Sequence, residues 1–318
     1  MQVTIIGTGC RAQNHRQTLG NISATLGLAS TVYTYGQNAP AGQPHLEVAV
    51  ATSEVLVICK HAGSEARLAA YKLILEMGML RAIVVIEKPV LGNELPAIQL
   101  LAQKGFKLLF ASQWRWSPIV LSAAKAIRMV GGAKKIEGRA VHSGPPESFL
   151  NLRRKVIADL AIHPLEILSG LTGLDPEVLS CESSNDLTAV IEGKCGEIPF
   201  SFEISWQTKT EDAGYLLSMH TETVNGENIT LNNQAAAGTL LVPGHMMGNS
   251  AYSYLLREGA EKTAQMNQLP LGSQELLDGR WAMWIRILTE KVPTSSEEFS
   301  LIKKRVIWIN TCYKLAGL

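Results

Sequence analysis

The chain has 318 residues, of which 46% are hydrophobic and 18% charged, and its formal net charge is +1. That is enough apolar material to fill two cores, and the near balance of charge removes any bulk electrostatic case for a nucleic-acid partner. The aliphatic run 55–59 is far too short to span a bilayer, and the sequence starts on a strand rather than on a basic, apolar leader, so no membrane contact and a cytoplasmic location are expected. Five cysteines, at 10, 59, 181, 195 and 312, make an odd number without any Cys-x-x-Cys spacing. This argues against a disulfide framework and a cysteine-rich zinc site. His15, His45, His142, His220 and His245 are scattered without a ligand pair at helical spacing, so no catalytic metal is expected.

Taken in chain order, the first element is an apolar strand at 3–6, followed at once by Gly7-Thr8-Gly9-Cys10-Arg11-Ala12 and a segment able to be a helix. This is the context a dinucleotide-binding turn needs. Gly7 permits a tight exit from the strand, Gly9 lets the main chain approach a pyrophosphate, and Ala12 lets the helix sit close on the sheet. The helix N-terminus then offers unpaired N–H groups and a positive dipole end to phosphates. Cys10 would stand where that dipole lowers a thiol pKa, although its plainer role is that of a small residue in the turn.

Short apolar strands follow at 31–35, 55–59, 82–86 and 107–110, separated by segments of helical periodicity such as 64–77 and 94–104. Such alternation predicts a doubly wound parallel sheet with helices on both faces, with its ligand beyond the carboxyl ends of the strands. Lys88 emerges at one of those ends, within Glu87-Lys88-Pro89, and its ammonium can stabilise developing charge on a substrate oxygen. Lys60 and His61 follow the 55–59 strand, and His61 is a candidate for the pocket lining. Thr34 to Asn38 contain no acid to hold an adenosine ribose, which leans towards NADP over NAD, with Arg11 the candidate for a 2′-phosphate.

After about Ser117 the pattern changes. A helix over 118–130 ends at Gly131-Gly132, a strand covers 135–141, and a second helix covers 156–168. Strands are predicted at 177–183, 187–191, 199–206, 215–221 and 228–231, with Glu192-Gly193 and Asn225-Gly226 as hairpin turns. A loop is expected at 234–249, then helices at 274–289 and 297–315, with Trp281 and Trp284 in the core or at a subunit interface. The predicted fold class is therefore α/β: a dinucleotide-binding domain at 1–117, then an α+β domain at 118–318 with an open, largely antiparallel sheet. The final helices are free to pack back on the first domain.

Within that second half, Asp159 and His163 stand four residues apart and project from one helix face. An imidazole there can take or return a hydroxyl proton, with Asp159 orienting a substrate hydroxyl or tuning the ring.

The ordered series Gly7-x-Gly9-x-x-Ala12, Glu87-Lys88-Pro89, Gln113-Trp114-Arg115-Trp116-Ser117-Pro118 and Asp159-x-x-x-His163-Pro164 resembles the Gfo/Idh/MocA oxidoreductase family over essentially the whole chain. The resemblance implies a Rossmann domain, a C-terminal domain whose sheet face often serves oligomer contacts, and hence a dimer or tetramer. It implies a nicotinamide cofactor and hydride transfer at a carbonyl or hydroxyl carbon of a sugar, a cyclitol or a derivative. Lys88, Asp159 and His163 take the catalytic roles, Lys88-Pro89 is expected to be cis, and Arg115 lies by the cofactor or substrate. Trp116 is assigned to the substrate side, while the two indoles of this segment are expected mainly to pack. Where relatives have a glycine run, this chain has Asn151-Leu152-Arg153-Arg154-Lys155, and Arg154 is a candidate for a substrate carboxylate or phosphate. Two alternatives stay open: an imine or tetrapyrrole reductase of the same superfamily, and a nucleotide-sensing regulatory protein without turnover.

Overall fold

The computed structural model describes residues 1–36, 40–112, 114–143, 155–185, 187–207, 215–232, 239–241, 279–289 and 291–317. By its contacts the chain divides into two units, one holding Met1–Gln113 and Arg280–Val306, the other starting at Trp114 and including Ile307–Leu318.

The first unit alternates β1 (Gln2–Ile6), α1 (Cys10–Leu26), β2 (Thr31–Tyr35), α2 (Leu46–Thr52), β3 (Val55–Ile58), α3 (Glu65–Met77), β4 (Ile83–Glu87), α4 (Leu95–Gln103) and β5 (Lys107–Ala111). All five strands are parallel, in the order β2-β1-β3-β4-β5. Strands β3 and β4 are buried at every position, as a sheet covered on both faces requires, and this is why they read as unbroken aliphatic runs. Leu56, Ile58, Val84, Ile86, Leu108 and Phe110 form one core with Tyr71, Ile74, Ile98 and Leu101 from the covering helices. Strand order reverses about β1, so the carboxyl ends of β1 and β3 flank a topological switch point, where open sheets of this kind take their ligands. Helix α2 escaped the sequence reading: seven residues are too few to establish a helical period.

Each margin of this sheet has side-chain partners for some of its outward backbone groups. At β2, Gln43 acts as a stand-in for a strand, accepting from Thr34 N–H at 2.7 Å and donating to the Thr34 carbonyl at 2.9 Å. At β5, helix α9 (Ser295–Leu315) begins with Ser295 and Glu298, which accept from Leu108 N–H at 3.3 Å and Phe110 N–H at 2.9 Å.

The second unit contains α5 (Pro118–Met129), β6 (Ala133–Ser143), α6 (Lys155–Leu160), α7 (Ile162–Thr172), β7 (Pro176–Asn185), β8 (Thr188–Cys195), β9 (Ile198–Gln207), β10 (Tyr215–Thr223), β11 (Asn228–Asn232) and β12 (Thr239–Leu241). Its sheet has the order β12-β11-β10-β6-β9-β8-β7 and is antiparallel except at β6–β9. One face, carrying Ile136, Ala140, Phe200, Phe202, Ile204, Leu217 and Met219, packs against Val120, Ile127, Ile157, Leu160, Leu165 and Leu168 of the helices. The opposite face carries cross-strand polar pairs such as Arg139–Glu203 at 3.1 Å and Glu192 with Ser180 and Ser201. Among the described residues a further helix, α8 (Gly279–Leu288), falls within the predicted 274–289.

Three expectations need correction. The single helix over 156–168 is two, α6 and α7, meeting at Ala161, because Pro164 has no N–H to give the Leu160 carbonyl. Glu192-Gly193 is not a turn but the middle of β8, where a Cβ on Gly193 would lie 2.0 Å from the Glu177 carbonyl of β7; the reversal comes at Gly196, with φ 60°. The 234–249 loop contains a strand, Thr239–Leu241, paired with β11; the rest of that segment lies outside the described residues. Asn225-Gly226 does form the β10–β11 turn.

Candidate functional site

The loops leaving β1, β3 and β4 gather at the carboxyl edge of the parallel sheet. Gly7 sits at φ 144°, and a Cβ there would come within 2.7 Å of the Cys59 carbonyl oxygen, so only glycine fits between β1 and β3. Its N–H donates to the Tyr35 carbonyl at 2.7 Å, which tucks the turn over the end of β2. Thr8 packs against Gly36, filling the space that a side chain at 36 would need. Gly9 is the N-cap of α1, and a Cβ on it would have nothing within 4 Å. The glycine is thus not demanded by packing against the protein. With no capping side chain and no acidic residue in the first turn, the N–H groups that no helix carbonyl can reach are left to a ligand anion. Cys10 opens the helix, and Ala12 is buried beneath it. The donor set and the open Gly9 fit a dinucleotide pyrophosphate.

Glu87, the last residue of β4, is buried and is gripped by His15 from α1: Nε2 donates to Oε1 at 2.7 Å. Trp284 Nε1 lies 3.2 Å from His15 Nδ1, on the other side of the ring. Burial pushes the Glu87 carboxyl up, but the hydrogen bond and the charge contributed by His15, with the positive charges of Arg11 and Lys88, outweigh it and hold the carboxyl well below the usual range. The other oxygen, Oε2, is buried and accepts no hydrogen bond, with Arg11 Nη1 3.6 Å away. Arg11 is therefore turned towards Glu87. This orphaned carboxylate oxygen suits a hydroxyl or amide donor of a bound nucleotide.

Lys88 is buried, and its bond to Pro89 is cis, as the resemblance implied. The backbone on either side of it is clamped by a group the sequence reading passed over. Arg67, from α3, donates to the carbonyls of Glu87 and of Pro89, the latter at 3.0 Å, and to the Lys60 carbonyl at 3.2 Å. Its Nε faces Glu94 Oε2 at 2.8 Å, and Glu94 also accepts from Tyr71 O–H at 2.8 Å, Gly63 N–H at 2.8 Å and Leu91 N–H at 3.0 Å. A buried ion pair is stable only when its hydrogen bonds are satisfied like this, and removing one partner costs about 3–5 kcal/mol. Lys60 thus contributes its carbonyl to the clamp. His61 is exposed, and its carbonyl receives Ser64 O–H at 2.7 Å.

In the second unit, Asp159 lies in the last turn of α6 and His163 in the first turn of α7, both largely buried, with Ala161 between the helices in helical geometry. Trp114 Nε1 donates to His163 Nδ1 at 2.7 Å, the two rings meeting edge to face at 87°. This indole was expected mainly to pack. Arg115 lies over the Trp116 ring, 4.3 Å from its centroid, a cation–π contact. Arg154 lies outside the described residues.

No protein-family profile matches this sequence, and no curated protein does. Solved structures do. An NAD-binding oxidoreductase from Klebsiella pneumoniae is 14% identical with a TM-score of 0.67, over 100% of this chain and 97% of its own. An oxidoreductase from Agrobacterium radiobacter, solved with NAD+, L-tartaric acid and magnesium, is 12% identical with a TM-score of 0.56, over 100% and 96%. The UDP-N-acetylglucosamine 3-dehydrogenase GnnA from Acidithiobacillus ferrooxidans is 15% identical with a TM-score of 0.51, over 91% and 96%. At these identities the likeness shows the fold: a Rossmann-like parallel sheet joined to a mixed-sheet domain, as in those enzymes.

Proposed function

We propose that the protein is an NAD(P)-dependent oxidoreductase of the Gfo/Idh/MocA type, acting on a carbonyl or hydroxyl carbon of a small polar substrate such as a sugar or cyclitol. The observation that carries this reading is the Gly7-Thr8-Gly9 turn at the β1/β3 switch point, leading into an uncapped helix beside a buried, ionised Glu87. The α1 N–H groups and Gly9 would hold the pyrophosphate, and Glu87 Oε2 would accept from the nucleotide. The nicotinamide supplies the hydride chemistry when bound. Lys88, held by the Arg67 clamp, polarises or orients the substrate, His163 handles the proton, and Asp159 supports it. Preference for NADP is supported by the absence of an acid from Thr34 to Asn38, where one would otherwise hold the ribose of NAD.

Titration of the protein with NADPH and NADH, followed by nicotinamide fluorescence, tests the cofactor; failure of both to bind overturns the reading. A screen of sugars, cyclitols, amino sugars and cyclic imines by absorbance of the reduced nicotinamide then finds the substrate. With it in hand, Lys88→Met is expected to lower kcat by about 10²–10⁴-fold while NADPH binding persists.

A further inference from the structure

Away from the proposed nucleotide site, the second unit brings together two cysteines that lie far apart in the sequence. Cys181 belongs to β7, which ends the second sheet, and Cys312 to the last turn of α9; both fall in the same unit. On a regular strand the core face that holds Val178 would continue with Ser180 and Glu182. A bulge prevents this: Val178 pairs with Gly193 and Ser180 with Glu192, so Leu179 is one residue more than the partner strand can match. The phase of the strand shifts, Leu179 is left exposed, Ser180 meets Glu192 on the polar face, and Cys181 turns into the core opposite Ile191. There it joins Cys312 in one hydrophobic cluster, at 2% and 0% exposure, and the two thiols hydrogen-bond to each other. That hydrogen bond favours loss of the first proton at Cys181 and, together with burial, pushes the Cys312 thiol up. An edge strand and the last turn of a helix are also where a fold opens most easily, which admits a small oxidant.

We propose that Cys181 and Cys312 are a redox-sensitive pair, closed to a disulfide by hydrogen peroxide and reopened by a thiol, which when closed ties the terminal strand of the second sheet to the end of the last helix. The chemistry balances on one peroxide molecule. The Cys181 sulfur attacks a peroxide oxygen, the O–O bond breaks, and the departing hydroxide leaves as water with the thiol proton, so that Cys181 becomes a sulfenic acid. The Cys312 sulfur then displaces the hydroxyl; the S–O bond breaks, the S–S bond forms, and the Cys312 proton goes with the hydroxyl into a second water. The two sulfurs give up two electrons in all, and one peroxide becomes two waters. A thiol reductant reverses the link by exchange.

The test treats the folded full chain with a graded excess of hydrogen peroxide, removes the peroxide with catalase, blocks the remaining thiols with N-ethylmaleimide in denaturant, and maps the non-reduced peptides by mass spectrometry. Oxidation of the exposed Met77 and Met79 reports that the peroxide has acted. The expected product is a linked peptide joining Cys181 to Cys312, absent before treatment and lost again with dithiothreitol. In Cys312→Ala the sulfenic acid on Cys181 has no partner and is expected to be trapped by dimedone. Cys181 and Cys312 both blocked as free thiols once the methionines are oxidised would overturn the proposal. So would a link from either to another cysteine, direct oxidation of Cys181 to a sulfinic acid in the parent, or a folded Cys312→Ala in which Cys181 takes no label. Should that variant fail to fold, the peptide map of the parent still decides. Absence of nucleotide binding would sink the oxidoreductase reading alone, because the link is measured without cofactor or substrate.

Discussion

Glu87 shows how much one side chain can be made to do by its neighbours. Its carboxyl is charged and buried because His15 donates to it and the positive charges of His15, Arg11 and Lys88 stand near it, an arrangement that favours ionisation more in the folded protein than in the unfolded chain. The folded pKa is depressed from 4.5 to about 2, so this stabilisation is complete above pH 4.5 and fades as pH falls towards 2. Glu87→Gln is accordingly expected to cost about 1–3 kcal/mol near neutrality. In urea denaturation, the gap between parent and variant should close across that acid window; a gap constant with pH would show that the charge contributes nothing. Glu87 and Lys88 were legible as a strand-end motif. Their supports were not: His15 lies 72 positions from Glu87, and Trp284 lies 269 from His15, distances at which neither periodicity nor spacing carries information.

Helix α1 carries the recognition proposed for the nucleotide, and its N-terminus can be altered without disturbing the packing. Since nothing lies within 4 Å of a Cβ at Gly9, Gly9→Asp should leave thermal stability nearly unchanged, and the new carboxylate caps the first turn in place of a phosphate. Loss of at least tenfold in NADPH affinity by fluorescence titration is expected, whereas unchanged affinity would remove α1 from the binding site. The same helix, like α3 with its Ser64 cap, was foreseeable because a local signal sits at its start. The α6–α7 break had a local cause in Pro164 that was outweighed by the apolar stripe running through it. The misplaced hairpin at Gly193 has a different origin. That glycine serves a contact across the sheet, and a turn dipeptide looks the same in sequence when its purpose is close approach to another strand.

At the scale of the molecule, the change of pattern near Ser117 reflects a real change of sheet, from five parallel strands to seven mostly antiparallel ones. Strand alternation exposed the first sheet, and hairpin spacing the second. The allotment of Arg280–Val306 to the first unit by contacts has no sequence mark, since a helix buried against either sheet shows the same apolar stripe. No helix among the described residues is long and apolar enough to cross a membrane. A ligand that binds only the folded first unit must stabilise it by mass action, about 2.7 kcal/mol at a hundredfold excess over Kd. Calorimetry with excess NADPH is expected to raise the transition that carries this unit, and an unmoved profile would argue against binding there.

Gln43 at one margin of the parallel sheet, and Ser295 with Glu298 at the other, have a consequence for how this protein meets its own copies. A β-sheet ordinarily ends in a row of vacant amides and carbonyls, and such a row invites a stray strand to zip on. Here a carboxamide imitates the missing neighbour on one flank and a helix start takes its place on the other. A strand adding at either flank would have to displace these partners of Thr34, Leu108 and Phe110.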